Sequence, residues 1–281
     1  MDDARLHLLV QQAQSGDAAA LEEVVQAVQD DVFDLSVRML GDAADARDAA
    51  QEVLVRVVTK LGTFRGASRF RTWVYRVAAN SLLSFRGDHA RQEVPFEEAE
   101  QNIRSATAGP GEVPSSGVDL TLVNEVKLVC AHGLLLCLDR PHRLAYVLGE
   151  VLELTSEEGA AVLEISPAAY RKRLSRARVE MEAFLKKNCG LADPTNACRC
   201  AKLVPLARST GLVDPERPVL TRLPVRQVDR LHVEVNQIRS AAEVFRAMPR
   251  YAAPGDFAAS LRALLHQDPR RPLLSHDDEL D

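Results

Sequence analysis

Residues 64–80 read FRGASRFRTWVYRVAAN, and the reading of this stretch decides how the rest of the chain is read. Arg65, Arg69, Arg71 and Arg76 stand among Phe64, Phe70, Trp73 and Tyr75, and Trp73 is the chain's only tryptophan. Phe70, Trp73, Val74 and Val77 fall at i, i+3, i+4 and i+7, which predicts a loop followed by one amphipathic helix. Cations interleaved with aromatic rings suit single-stranded nucleic acid: guanidinium groups meet phosphates and ring faces stack on unpaired bases. The plainer reading sends the same rings into a core. A helix has two faces, so both readings can hold.

Outward from this stretch the spacing stays helical and strand signals are weak. A first helix is predicted over about 4–13. Asp17 caps a second, with Leu21, Val24, Val25 and Val28 on its inner face and the apolar pattern continuing to Gly41. Asp42 caps a third, DAADARDAAQEVLVRVVTKL, which stops near Gly62. The helix of the 64–80 stretch runs on to about Arg86. From Gln92 to Asp119 the pattern gives way to a polar, acidic segment broken by Pro110 and Pro114, which predicts a mobile linker.

A second helical block is expected over 120–187. Within it LTSEEGAAVLEISPAAYRKRLSRARVEM has the form of a helix-turn-helix. Thr155 or Ser156 caps one helix; Ser166 caps the next, with Pro167 at its first position, where no amide partner is needed. Tyr170, Leu174 and Ala177 can pack inward while the basic side chains stay outside. A basic second helix of this kind has the geometry that enters a major groove; the plainer reading is a solvated basic helix in a bundle. Beyond residue 188, further helices are predicted over about 225–247 and 256–265, followed by a disordered end.

The formal net charge of −5 argues against nucleic-acid binding only as an average. From Asp17 to Glu52 there are ten acidic and two basic residues; from Arg65 to Arg91, six arginines and one acid; from Arg171 to Lys187, seven basic residues and two acids. Local sign decides which partner docks where, so this segregation points to one protein partner and two nucleic-acid contacts. The N-terminus MDDARLHLLV is unlike a signal peptide and no apolar run approaches membrane-spanning length, so a cytoplasmic protein without membrane insertion is expected. No Ser/His/Asp set, paired-carboxylate site or phosphate-cradling glycine loop is present, which speaks against an enzyme.

The two helical blocks, in this order and at this separation, resemble the bacterial extracytoplasmic-function (ECF) sigma factors over about residues 5–187. DARDAAQEVLVRVVTKLGTFRG is similar to the family's regions 2.1–2.2, SRFRTWVYRVAAN to its phrase for promoter melting and −10 recognition, and LDRPHRLAYVLGEVLELTSEEGAAVLEISPAAYRKRLSRAR to its region 4 helix-turn-helix. The resemblance implies an all-α fold: a region 2 domain over 1–91, a linker over 92–119, a region 4 domain over 120–187, and a mostly helical, cysteine-containing extension over 188–281 whose expected part is regulation. It implies core RNA polymerase and promoter DNA as partners, with an anti-sigma protein as a further candidate. Polymerase docking would fall on Asp45, Asp48, Gln51 and Glu52. Contacts to the −10 element would fall on Phe64, Arg65, Arg69, Arg71, Thr72, Arg76 and Asn80, with Phe70, Trp73 and Val77 building the platform beneath. Contacts to the −35 element would fall on Ser166, Tyr170, Arg171, Lys172, Arg173, Arg176 and Arg178. A stand-alone helix-turn-helix regulator is the alternative; it explains residues 155–187 and leaves 64–80 unexplained.

Five cysteines pose a separate question. Cys198 and Cys200 form a C-x-C pair, and Cys189 lies nine residues before Cys198. Three sulfurs need a fourth ligand for tetrahedral zinc and can suffice for copper(I). Cys130 or His132 could supply the fourth. No cofactor is required by this reading, and metal ligation and free or redox-active thiols both stay open. Cys137 reads as a small core residue, and His142 as a surface or capping one.

Overall fold

The computed structural model describes residues 1–87, 93–108 and 120–214 and, within 241–259, all but 247, 249, 256 and 258. The described residues contain helices and no named strand. Helices α1 (Asp3–Gln14), α2 (Ala18–Leu40), α3 (Ala43–Thr59) and α4 (Phe70–Ser84) form one bundle, with a 3-10 turn at Leu61–Thr63. Asp17 caps α2 by accepting from the amides of Ala19 (2.9 Å) and Ala20 (3.1 Å). Asp42 caps α3 through Ala44 (2.9 Å) and Asp45 (3.0 Å). Each carboxylate satisfies amides that have no partner inside the helix. Between these two helices Gly41 adopts φ 68°, the left-handed conformation that ends α2.

A second group comprises α6 (Leu120–Cys137), α7 (Arg140–Tyr146) running into a π-helical turn (Val147–Val151), α8 (Ser156–Leu163) and α9 (Pro167–Asn188). Thr155 and Glu158 make a reciprocal capping box at the start of α8. Ser166 caps α9 through the Ala169 amide at 3.2 Å, with Pro167 at the first position. Gly159 lets α9 approach closely: a Cβ there would stand 2.2 Å from the ring of Tyr170. The buried Tyr170 hydroxyl donates to the carbonyl of Ala145 at 3.1 Å, tying α9 to α7.

The segment expected to be a mobile linker contains a helix, α5 (Phe96–Thr107). Its acidic, polar composition obscures an apolar stripe of Phe96, Ala99 and Ile103, which packs against the core. Phe96 meets the ring of Phe184 on α9, and Lys187 donates to Glu100 at 2.7 Å, so the stripe has both an apolar and an ionic anchor. Helix α10 (Cys200–Ser209) also lies outside the sequence expectation; it carries Pro205 internally, the residue that argues against a helix interior. With α6 it forms a small separate core of Leu122, Val126, Cys198, Leu203, Ala207 and Val213. Of the two helices expected late in the chain, residues 241–246 form a short helix, α11, while 225–240 and most of 256–265 lie outside the described residues, as does the end of the chain.

One apolar core runs through both helical groups, from Leu6 to Phe257. Two arginines of the sequence DRPHR join the groups through backbone carbonyls. Arg143, 2% exposed, donates to the carbonyls of Leu135 (2.8 Å), Leu136 (3.2 Å) and Leu138 (2.8 Å) at the end of α6, and to that of Met39 (2.5 Å) at the end of α2. Arg140 donates to those of Leu83 (3.2 Å) and Phe85 (2.7 Å) at the end of α4. Cations at helix C-termini answer both the unpaired carbonyls and the dipole. Burial lowers the Arg143 pKa to about 10, which still leaves it charged at neutral pH. Arg143→Met should strand four buried carbonyls and cost about 3 kcal/mol or more. A urea melt followed by circular dichroism will show this as a lower midpoint.

Candidate functional site

The rings of the 64–80 stretch form one cluster. Phe64, Phe70 and Trp73 lie 5.2–5.7 Å apart between centroids, with Phe70 and Trp73 stacked. Phe64, Phe70 and Thr72 are buried and Trp73 is half-buried. Phe64, expected on the DNA-facing surface, belongs to this ring cluster, packed against Phe70 and Trp73, and Thr72, also expected there, is buried within the bundle. Arg65 and Asn80 are exposed. Arg71 pairs with Asp31 of α2, which pins the start of α4 to the bundle. Arg69 faces Asp3 (3.6 Å) and Glu158 (3.4 Å), and Arg76 donates to the carbonyl of Ala161 at 3.1 Å. Glu158 and Ala161 belong to α8, so the first helix of the helix-turn-helix lies directly on α4.

The acidic start of α3 divides. Asp45 is buried at 2% exposure, and a Cβ at Gly87 would stand 2.4 Å from its carboxylate. A group enclosed in this way is not presented to a partner. Asp48 and Glu52 are exposed, Gln51 is half-buried, and Glu52 pairs with Arg56 one turn on. Asp48, Gln51 and Glu52 thus make the accessible face.

On α9, Ser166, Arg171, Lys172, Arg176 and Arg178 are exposed and Arg173 is half-buried. Tyr170, expected among the DNA contacts, is enclosed against α7 and α8, where its hydroxyl satisfies Ala145; its spacing with Leu174 and Ala177 carries it inward. Arg171 lies 4.0 Å from Glu157, an exposed pair of little energetic weight. Arg178 pairs with Glu150, a carboxylate buried at 5% exposure in the π-helical turn.

A family model described as sigma-70 region 2 matches residues 15–92. The RNA polymerase sigma-H factor of Pseudomonas aeruginosa is 29% identical over 187 residues, 63% of this chain and 92% of that protein. The ECF RNA polymerase sigma-E factor of Escherichia coli (strain K12) is 31% identical over 175 residues, 61% of this chain and 89% of that protein. The chain belongs to the ECF RNA polymerase sigma factors. This sigma factor binds RNA polymerase and takes part in transcription initiation. Among solved structures, CnrH in complex with the cytosolic domain of CnrY is 24% identical, with a TM-score of 0.45, over 66% of this chain and 99% of that one. More than a third of the sigma factor lies outside the regions matched in the sigma-H and sigma-E relatives.

Residues late in the chain, among them Phe245, Tyr251 and Phe257, pack onto the core of the two helical groups. A parallel bridge pairs Cys189 with Cys198. Cys198 and Cys200 pack in the small core against α6, the helix that carries Cys130. Burial pushes the Cys130 thiol well up, and Cys200, Cys198, Cys189 and Cys137 push it further. Burial raises Cys198 to about 12 and Cys137 to about 11. His132 does not join the thiols. Two positions along a helix turn it away from Cys130, its Nδ1 lies 2.9 Å from the Leu128 carbonyl, and its ring packs against Tyr251. Among the described residues, no three His, Cys, Asp or Glu side chains stand in a metal-holding arrangement. Also among them, no helix is long and apolar enough to cross a membrane.

Sequence reasoning passed over Arg140, Arg143 and Glu150. Their signal was the charge pattern of DRPHR and an acid inside an apolar run, VLGEVLEL, where an unpaired carboxylate is costly.

Proposed function

We propose that this sigma factor docks on core RNA polymerase through Asp48, Gln51 and Glu52 of α3, opens the −10 element with the loop before α4 and the outer face of α4, and reads the −35 element with α9. The exposed position of Asn80, two turns along α4 from the half-buried Trp73 and so on its side of the helix, carries the −10 part. Asn80 is one turn from Arg76, so an amide able to read an adenine edge sits beside a cation able to hold a phosphate. The capped, basic α9 supports the −35 part, with Arg171, Lys172, Arg173, Arg176 and Arg178 divided between bases and phosphates. In this reading the domains are region 2 over 1–91 and region 4 over 120–187, and the chain contributes binding and strand separation while the polymerase forms the phosphodiester bonds. A stand-alone regulator has no use for the α4 platform and the acidic α3 face.

The gathered thiols support a second, smaller proposal. Cys130, Cys189, Cys198 and Cys200 would form a thiolate site for zinc or copper(I) once drawn together by the cation, since mutual thiolate repulsion is what a bound cation relieves. Metal analysis of protein purified without chelator should return about one zinc or copper per chain, lost in Cys198→Ser; metal-free wild-type protein that also fails to take up added Zn(II) or Cu(I) would remove this site.

Asn80→Ala should lower −10 opening about five-fold or more while leaving −35 duplex affinity intact. Permanganate footprinting of complexes with core polymerase measures the first, and a gel-shift titration the second. Arg173→Ala should show the reverse pattern, with weaker −35 binding by about 1 kcal/mol or more.

A further inference from the structure

Among the described residues of 241–257, those at one end pack on the second helical group and those at the other end on the first. At one end, Phe245 is fully buried with its ring edge-on to Tyr146 of α7 at 5.4 Å. Arg246 donates through Nε to the Glu150 carbonyl (2.7 Å), pairs with the Glu150 carboxylate (3.2 Å), and lies 3.5 Å from Glu153. At the other end the segment lies on α2. The Tyr251 amide donates to Asp34 Oδ1 at 2.9 Å, and the Ala253 amide to Asp30 Oδ1 at 2.9 Å. The Tyr251 ring is fully buried, 5.9 Å from the Arg38 guanidinium and 5.8 Å from the ring of His132 on α6. Phe257 is buried edge-on to Phe33 at 6.4 Å.

The consequence appears at the DNA-facing surfaces. While the two groups are held in this arrangement, α8 lies on α4, and Arg69 and Arg76 are spent on Glu158 and on the Ala161 carbonyl. Arg178 of α9 is held by Glu150, the same carboxylate that anchors Arg246. A phosphate of the −10 strand cannot take up Arg69 and Arg76 while α8 holds them, although Asn80 beside Arg76 stays exposed. The −10 and −35 elements lie apart along the promoter, so one chain must separate its two reading helices to reach both.

We propose that residues 241–257 are an autoinhibitory strap that holds the −35-reading group shut on α4 and must release for promoter binding. The strap itself is defined by contacts within the chain; only its effect on transcription rests on the sigma-factor reading. Its grip is mixed. Phe245, Tyr251 and Phe257 supply apolar burial. Asp30, Asp34 and Glu150 supply charge-assisted hydrogen bonds whose register fixes the segment across both groups.

The test uses the full-length chain and two independent variants, Arg246→Glu and Tyr251→Ala/Phe257→Ala. The first introduces repulsion at Glu150 and Glu153 from a half-exposed position, so it keeps the core aromatics. Hydrogen-exchange mass spectrometry of residues 70–84 and 156–163 reads the α4–α8 contact without polymerase. Run-off transcription with limiting sigma factor on core polymerase reads its consequence. Expected is exchange at both segments faster by about five-fold or more, unchanged helix content, and a rise in transcript of similar size. Wild-type exchange at α4 and α8 in Arg246→Glu would overturn the strap, as would faster exchange without more transcript from a wild-type protein that transcribes. No transcript from any of the three proteins would count against the sigma-factor reading, with the exchange result alone then deciding whether the strap holds the groups together.

Discussion

Arg143 ends two helices at once. Its guanidinium answers three carbonyls at the end of α6 and one at the end of α2, in a place with almost no access to water. Such a group is costly to bury and costlier still to leave without acceptors, so the relative placement of α2 and α6 is narrowly set. The rest follows from that placement. Arg140, three residues earlier, falls at the end of α4. The chain then turns through α7 into the π-helical turn, and α8 is delivered onto α4. Gly41, at the end of α2, has no room for a Cβ because the Leu136 side chain would be 2.8 Å from it, so the same junction also requires a glycine.

The resulting closed form engages two expected DNA contacts across the groups, Arg69 and Arg76, while Arg171 and Arg178 meet acids of their own group. Arg69, Arg76, Arg171 and Arg178 each meet an acid or a carbonyl of the chain, and those partners lie in α1, α8 or the π-helical turn. A cationic surface intended for phosphates is self-repelling when empty, and nearby carboxylates relieve that repulsion until nucleic acid replaces them. Arg71 stands apart. Its partner Asp31 is on α2 within the same bundle, so this pair orients α4 regardless of where α8 lies.

Much of the fold was legible because its determinants are local. Asp17, Asp42, Thr155 and Ser166 announce helix starts, and apolar residues at helical spacing announce the inner faces. The phrase FRTWVYRVAAN was legible both as a platform and as a surface. What the sequence concealed depends on contacts distant along the chain. Asp45 and Asp48 look alike three positions apart, yet only Asp45 is enclosed, near Gly87. Tyr170 stands among cations and still turns inward, because Gly159 opens the space for its ring. Helix α5 was hidden by its acids, whose basic partner Lys187 lies far ahead in sequence. The packing of α10 on α6 was not legible: it sets Cys198 and Cys200 against the helix that carries Cys130, while His132 of that helix turns to the ring of Tyr251.

The contacts between the two groups are unequal in a way that bears on opening. Those at the DNA-facing side, Arg69 with Glu158 and Arg76 with a carbonyl, sit at or near the surface, where water and salt replace them at small cost. Those remote from it, around Arg143 and Tyr251, are buried. Among the buried ones, the arginine network joins helix ends by direct backbone contact, while the Tyr251 contacts come from a segment outside both bundles. Removing an added segment requires no helix to lose its cap, whereas moving Arg143 exposes a carbonyl of α2 and three of α6. A rotation about Arg143 that peels α8 from α4 would leave the four buried Arg143 hydrogen bonds in place and break only the surface contacts of Arg69 and Arg76 at that seam.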